Sequence, residues 1–327
     1  MIDNFLVEFG QEINRSLKEK SGLVPFFQKI YEFFPEYMLD YKLFHLLFDI
    51  KPKANLSLLR ELLNTDRYFD NELFLILFRA FVYAETRFIK NYIPQNSHEE
   101  RLTGHLISEY TFALDIVKKT FQEKAYQIYK ENLSLDFYYA DLSSNNREKS
   151  TGADFGIMFH INLPDYPDEV RIAIFQAKKI KTNVVIDIAQ YNTLKNYGEK
   201  GAYYCFYDMA TEATSSPLVM HANNIDLTSS INKKTKSYPI NELFKYWDSI
   251  IPLSLFLIVR MLISDNNNFY KSYKSIWDAK SYFENNNLNE TKPGKLLMVS
   301  IGGLLNSSQD LTDLSRLLRF PPFEEQQ

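Results

Sequence analysis

Asp154, Gln176 and Lys178 are the residues of this chain whose types and spacing suit chemistry, and all three lie in "TGADFGIMFHINLPDYPDEVRIAIFQAKKI", from Thr151 to Ile180. Side chains alternate between the two faces of a strand. In the first apolar run Asp154, Gly156, Met158 and His160 therefore share a face, and in the second Ile172, Ile174, Gln176 and Lys178 do. The polar, proline-bearing "LPDYPDE" between them predicts a hairpin. Centring that hairpin on Asp165 sets Asp154 directly across from Gln176 on the same face, with neighbouring Cβ atoms about 5 Å apart. Lys178 stands one step beyond. Apolar residues fill most of the remaining positions, so a carboxylate, an amide and an ammonium meet at the open end of the hairpin.

Two such oxygens, with a third from elsewhere, suit Mg2+ or Mn2+, which take hard oxygen ligands and keep several waters. A nearby lysine can orient or deprotonate an attacking water and offset charge on a phosphate. These are the parts that metal-assisted hydrolysis of a phosphodiester requires. Plainer readings exist for each residue: Asp154 as an aspartate capping a turn, Lys178 as the start of the solvated run "KKIK". The shared face and register are what argue for a site. His160 lies on the Asp154 face but six residues away, roughly 20 Å at ~3.3 Å per residue, and cannot share its metal. Cys205, inside "YYCFY", reads as a small buried hydrophobe.

The elements that must position these residues follow from periodicity. "SHEERLTGHLISEYTFALDIVKKTF" predicts one long helix, with Ser97 and Glu100 spaced as a capping box. Four β-rich runs come next: "LSLDFYYADL", "ADFGIMFHINL", "VRIAIFQA" and "GAYYCFYD". Between the last two, "VVIDIAQYNTLKNYG" predicts a helix with Gly198 at its C-cap. That order implies an α/β core with a mixed sheet over 95–225. The flanks, 1–94 and 226–327, predict helical regions. Apolar stripes such as "FFQKIYEFF" and the central "NELFLILFRAFVY" mark the first, where His45 reads as a core histidine. A helix over 241–264, the amphipathic "FYKSYKSIWDAKSYF" and a last helix stopped by "RFPP" mark the second.

The hairpin and the helix after it resemble the PD-(D/E)xK nuclease superfamily, with its restriction-endonuclease-like fold. The superfamily's hallmark is an acid at the start of one strand, an acid-x-Lys on the next, and then a helix. Here "GAD" at 152–154 and "QAK" at 176–178 stand in those places. The glutamine variant, with Gln190 in "AQYNTL" on the following helix, is most similar to the Mrr-type branch. The resemblance covers roughly residues 95 to 210. It implies that a first-motif glutamate falls at Glu100 or Glu99, and that Asp154, Gln176 and Glu100 hold Mg2+ or Mn2+. It also implies a DNA endonuclease of prokaryotic restriction or antiphage defence. Glutamine in place of glutamate removes one ligand charge.

The balance of the 327 residues fits this expectation without requiring it. Charged residues make 24% and the net charge is -4, which leaves a local basic patch free to bind nucleic acid. Lys179 and Lys181 in "KKIK", and "KKTK" at 233–236, are the candidate phosphate contacts. A single cysteine excludes an internal disulfide framework and a Cys-based zinc site. The longest apolar run, "SIIPLSLFLIVRMLIS" from Ser249, is too short to span a bilayer and contains Pro252 and Arg260. No basic-then-apolar leader opens the chain, so a reducing cytoplasm and no membrane are expected. A second class of reading is a catalytically silent nuclease-like module that binds nucleic acid or a partner protein. A protein partner in a defence system and self-association both stay open.

Overall fold

The computed structural model describes residues 71–141, 152–180, 183–208, 217–225, 235–239, 250–264, 267–276, 278–279 and 294–303. Its helices are α1 (Glu72–Asn91), α2 (Glu99–Tyr129) and α3 (Ile188–Gly198). Its strands are β1 (Leu135–Asp141), β2 (Phe155–Ile161), β3 (Glu169–Ile180), β4 (Asn183–Asp187), β5 (Ala202–Asp208), β6 (Leu218–His221), β7 (Thr235–Pro239), β8 (Ile250–Pro252), β9 (Lys271–Tyr273) and β10 (Lys295–Ile301). The described residues divide into two compact units. One falls within Met1–Val117, Ala177–Ile188 and Tyr204–Asp265; the other falls within Lys118–Gln176, Ala189–Tyr203 and Asn266–Gln327.

In the first unit α1 is apolar nearly all round, as a central helix must be. Asn71 caps it, its side-chain oxygen accepting from Leu73 N at 2.9 Å. Glu85 is fully buried on this helix. Its side-chain oxygens accept from the hydroxyls of Tyr110 on α2 and of Ser254, both at 2.8 Å, as a buried polar group requires. Burial, and then the Glu85 carboxylate, push the Tyr110 hydroxyl well above its usual pKa. After Pro252 the chain turns helical, and from Phe256 to Ile263 it widens to a π-helix that is apolar and buried except near Arg260 and Ile263. β6 and β8 pair antiparallel, and β4 with β7 forms a separate two-stranded antiparallel ribbon.

In the second unit β10 runs parallel to β2 and antiparallel to β1, while β3 runs antiparallel to both β2 and β9. The sheet is therefore mixed, in an α/β fold. β2 and β10 are buried at every position, which explains why their sequences are almost continuously apolar. His160 of β2 bridges Ser300 of β10 (3.0 Å to Nδ1) and Asp168 of the hairpin turn (2.9 Å to Nε2).

Several sequence expectations need correction. The region after 226 is not simply helical: β10, between β1 and β2, comes from "KLLMVSI", and β7, β8 and β9 also fall there. A short apolar run buried on both faces has no period that separates strand from helix. "FYKSYKS" contains β9 rather than a helical turn. "VVIDIAQYNTLKNYG" is a strand before it is a helix, β4 giving way to α3 at Ile188. Gly198 ends α3 in right-handed conformation (φ -81°), and the left-handed residue is Glu199 (φ 46°). Gly198 is small for packing reasons, because a Cβ there would approach Ala202 Cβ to 2.7 Å. α2 starts at Glu99, two residues beyond Ser97, so Ser97 and Glu100 are not spaced as N-cap and N3. His45 and the other stripes before 71 lie outside the described residues. Among the described residues no helix is long and apolar enough to cross a membrane.

His105 of α2 gives the first unit a dependence on pH. Its ring stacks on Tyr92 with centroids 4.0 Å apart, and its Nε2 is buried with no hydrogen-bond partner among the described residues. Burial, then the Arg101 charge, lower its pKa below the ordinary 6.5, with Glu109 opposing. Between the lowered value and 6.5 the unfolded chain binds more protons than the folded one, so stability falls as pH drops through that window. His105→Phe keeps a ring against Tyr92 and removes the titration. The melting temperature of the unsubstituted protein, relative to that of His105→Phe, should fall from pH 7.5 to pH 5 when both are followed by thermal denaturation.

Candidate functional site

β2 and β3 pair with Phe155 opposite Phe175, the register expected for a hairpin centred on Asp165. Their rings stack across the ladder, centroids 4.7 Å apart. One residue outward, on the other face, Asp154 meets Gln176: the Gln176 amide Nε2 donates to Asp154 Oδ2 at 2.5 Å. Gln176 is buried, and Asp154 is partly exposed. Backbone bonds fix Asp154 on both sides. Its N–H donates to Phe175 O at 2.9 Å, and its carbonyl accepts from Lys295 N at 3.0 Å.

Glycines allow this approach. Gly152 has φ +67°, and a Cβ there would sit 2.6 Å from the Gln190 carbonyl and 2.8 Å from Leu194 N. The first turns of α3 thus pack on the loop that carries Asp154, and this is how the structure brings Gln190 near it. A Cβ on Gly294, just before β10, would lie 2.9 Å from the Asp154 carbonyl. Sequence reasoning missed Gly294 and Lys295. The signal was "KPGK", a turn dipeptide directly before an apolar run.

Within the first unit, Lys178 and Lys179 meet the start of α2. Glu99, rather than the exposed Glu100, is the carboxylate set against β3. Its Oε1 accepts from Lys179 N at 2.8 Å, and its Oε2 lies 3.8 Å from Lys178 Nζ. The Lys179 ammonium donates to Asn96 Oδ1 at 3.2 Å and to Ser97 O at 3.1 Å. β3 is continuous from Glu169 to Ile180, so Gln176 and Lys178 leave it on one face. Lys181, Lys233 and Lys234 lie outside the described residues. His160 has both ring nitrogens engaged by Ser300 and Asp168, away from Asp154, and Cys205 is a buried thiol in β5.

The donor set is one carboxylate and one amide, both hard oxygen donors of the kind Mg2+ or Mn2+ accepts with waters completing its shell. Among the described residues no group of three or more His, Cys, Asp or Glu side chains is placed to hold a metal. The amide now presents N–H to Asp154. To act as a ligand it must turn over and present Oε1, an exchange that leaves the side chain's shape unchanged.

Gly152→Ala tests how the loop is fixed. Positive φ and the close approach of α3 backbone both oppose a methyl group, so the substitution should lower unfolding free energy by about 2 kcal/mol or more in urea titration.

Comparison with protein-family models, with curated proteins and with solved structures gives no match, so the reading of the site rests on its own residues.

Proposed function

We propose that the protein is a metal-dependent endonuclease that hydrolyses DNA phosphodiester bonds, of the kind used in prokaryotic restriction or antiphage defence. The observation that carries this reading is the Asp154–Gln176 contact, two residues before Lys178 on the same strand. Asp154 and Gln176 would hold Mg2+ or Mn2+, which, when bound, supplies Lewis-acid stabilisation at the phosphate and acidifies a water. Lys178 orients the attacking water and balances the charge that develops on the phosphoryl oxygens. Glu99 sets the ammonium of Lys178. The low exposure of Gln176 limits competition from bulk water.

One observation favours a second reading, a silent nuclease-like module that binds nucleic acid or a partner protein. Gln176 is neutral and brings no negative charge to hold a divalent cation. Metal-dependent nicking of supercoiled plasmid separates the two. The wild-type protein should nick with Mg2+ or Mn2+, and Lys178→Ala should fold yet cut about 10²-fold more slowly. Intact plasmid with either metal, or an equally fast Lys178→Ala variant, rejects the nuclease.

Gln176→Glu probes the metal directly. Two facing carboxylates repel one another without a cation, so this variant should melt lower than wild type in chelator. It should gain more stability than wild type on adding Mn2+. Gln176→Leu should show no Mn2+-dependent rise in melting temperature. A rise equal to that of wild type removes Gln176 from the metal shell.

A further inference from the structure

We infer that Lys179, together with Glu99 and the Asn96–Ser97 turn, is a buckle that fixes the end of β3 and so positions Lys178, and that Lys179 is not a phosphate contact. The role assigned to Lys178 rests on the nuclease reading; the buckle itself does not.

The need for such a buckle follows from the ladder. β2 last pairs with β3 at Phe155 opposite Phe175, yet β3 continues to Ile180. Alternate residues of a strand point their N–H groups to the same side. The N–H of Lys179 therefore points where that of Phe175 does, but four residues past the last rung. An amide without a strand partner must find another acceptor. Glu99 Oε1 supplies it at 2.8 Å. Glu99 stands in the first turn of α2, where the helix dipole favours a negative charge.

The side chain of Lys179 closes the same joint from the other direction. Its ammonium reaches back to Asn96 Oδ1 and Ser97 O, the residues immediately before α2. Asn96 is left-handed (φ 49°), a conformation asparagine tolerates better than most residues. It ends the 3-10 turn Ile93–Gln95. Three bonds thus join Lys179 to a four-residue stretch, Asn96 to Glu99. The second oxygen of Glu99 is left to face Lys178 Nζ at 3.8 Å. An ammonium already committed to two oxygens would lose both on turning to DNA, whereas a phosphate contact is usually a solvated lysine.

Lys179→Met keeps most of the length of the side chain, as an unbranched apolar stem, and removes its donors. Cleavage at saturating DNA should slow about tenfold or more, because a small misplacement of a reacting group is costly. KM and the salt dependence of DNA affinity should not change. Amide hydrogen exchange over 176–180 should speed up in Lys179→Met, in Asn96→Ala and most in Glu99→Ala. Glu99→Gln keeps an acceptor oxygen for Lys179 N and should retain slow exchange. A Lys179→Met protein that cuts normally at saturation but binds more weakly, its salt slope reduced by about one, overturns the inference. So does unchanged exchange in Glu99→Ala. If the wild-type protein cuts nothing, the nuclease reading fails, and the exchange rates decide the buckle alone.

Discussion

Asp154 gives its amide hydrogen to Phe175 and takes one from Lys295, and these two backbone bonds set its carboxylate where β2 meets both of its neighbours. Strand alternation then leaves little freedom. A one-residue slip of β3 against β2 would turn Gln176 to the opposite face and bring Ala177 or Phe175 across from Asp154. The stacked Phe155–Phe175 pair resists that slip from the other side of the sheet. Packing on one face thus specifies the polar arrangement on the other.

The amide at position 176 changes what the pair can do without a cation. Two carboxylates at this separation would repel, and one would be driven to bind a proton. An amide instead donates to Asp154 and so holds the carboxylate without a proton or a cation, but it must turn over before its own oxygen can face a ligand. The same choice gives up one negative charge for holding a cation.

The hairpin was legible because its signals are local. Period-two alternation, a polar turn and the position of Asp165 between matched runs were enough to place Phe155 opposite Phe175 and Asp154 beside Gln176. α2 and the four β-rich runs from 135 to 208 were legible for the same reason. β10 was not, because "KLLMVSI" is almost continuously apolar and pairs with residues about 140 positions earlier. The choice between Glu99 and Glu100 was also hidden. It depends on where α2 begins, and the serine two residues earlier suggested the wrong start. Lys179 looked like part of a solvated basic run because no sequence pattern shows that an ammonium folds back onto Asn96 and Ser97.

The place of β10 between β1 and β2 also sets an order of events during folding. The β2–β3 hairpin closes a short loop and can form early, but β1 has no neighbour in its sheet until residues 295–301 arrive. Pairing across so long a separation in sequence is slow, and on the ribosome it must wait until residues 295–301 have been made. Until then the edge of β2 is open, and Asp154 lacks the bond from Lys295. The carboxylate therefore reaches its final position only after β10 has been made, so chains that stop short of it carry the hairpin without a finished site.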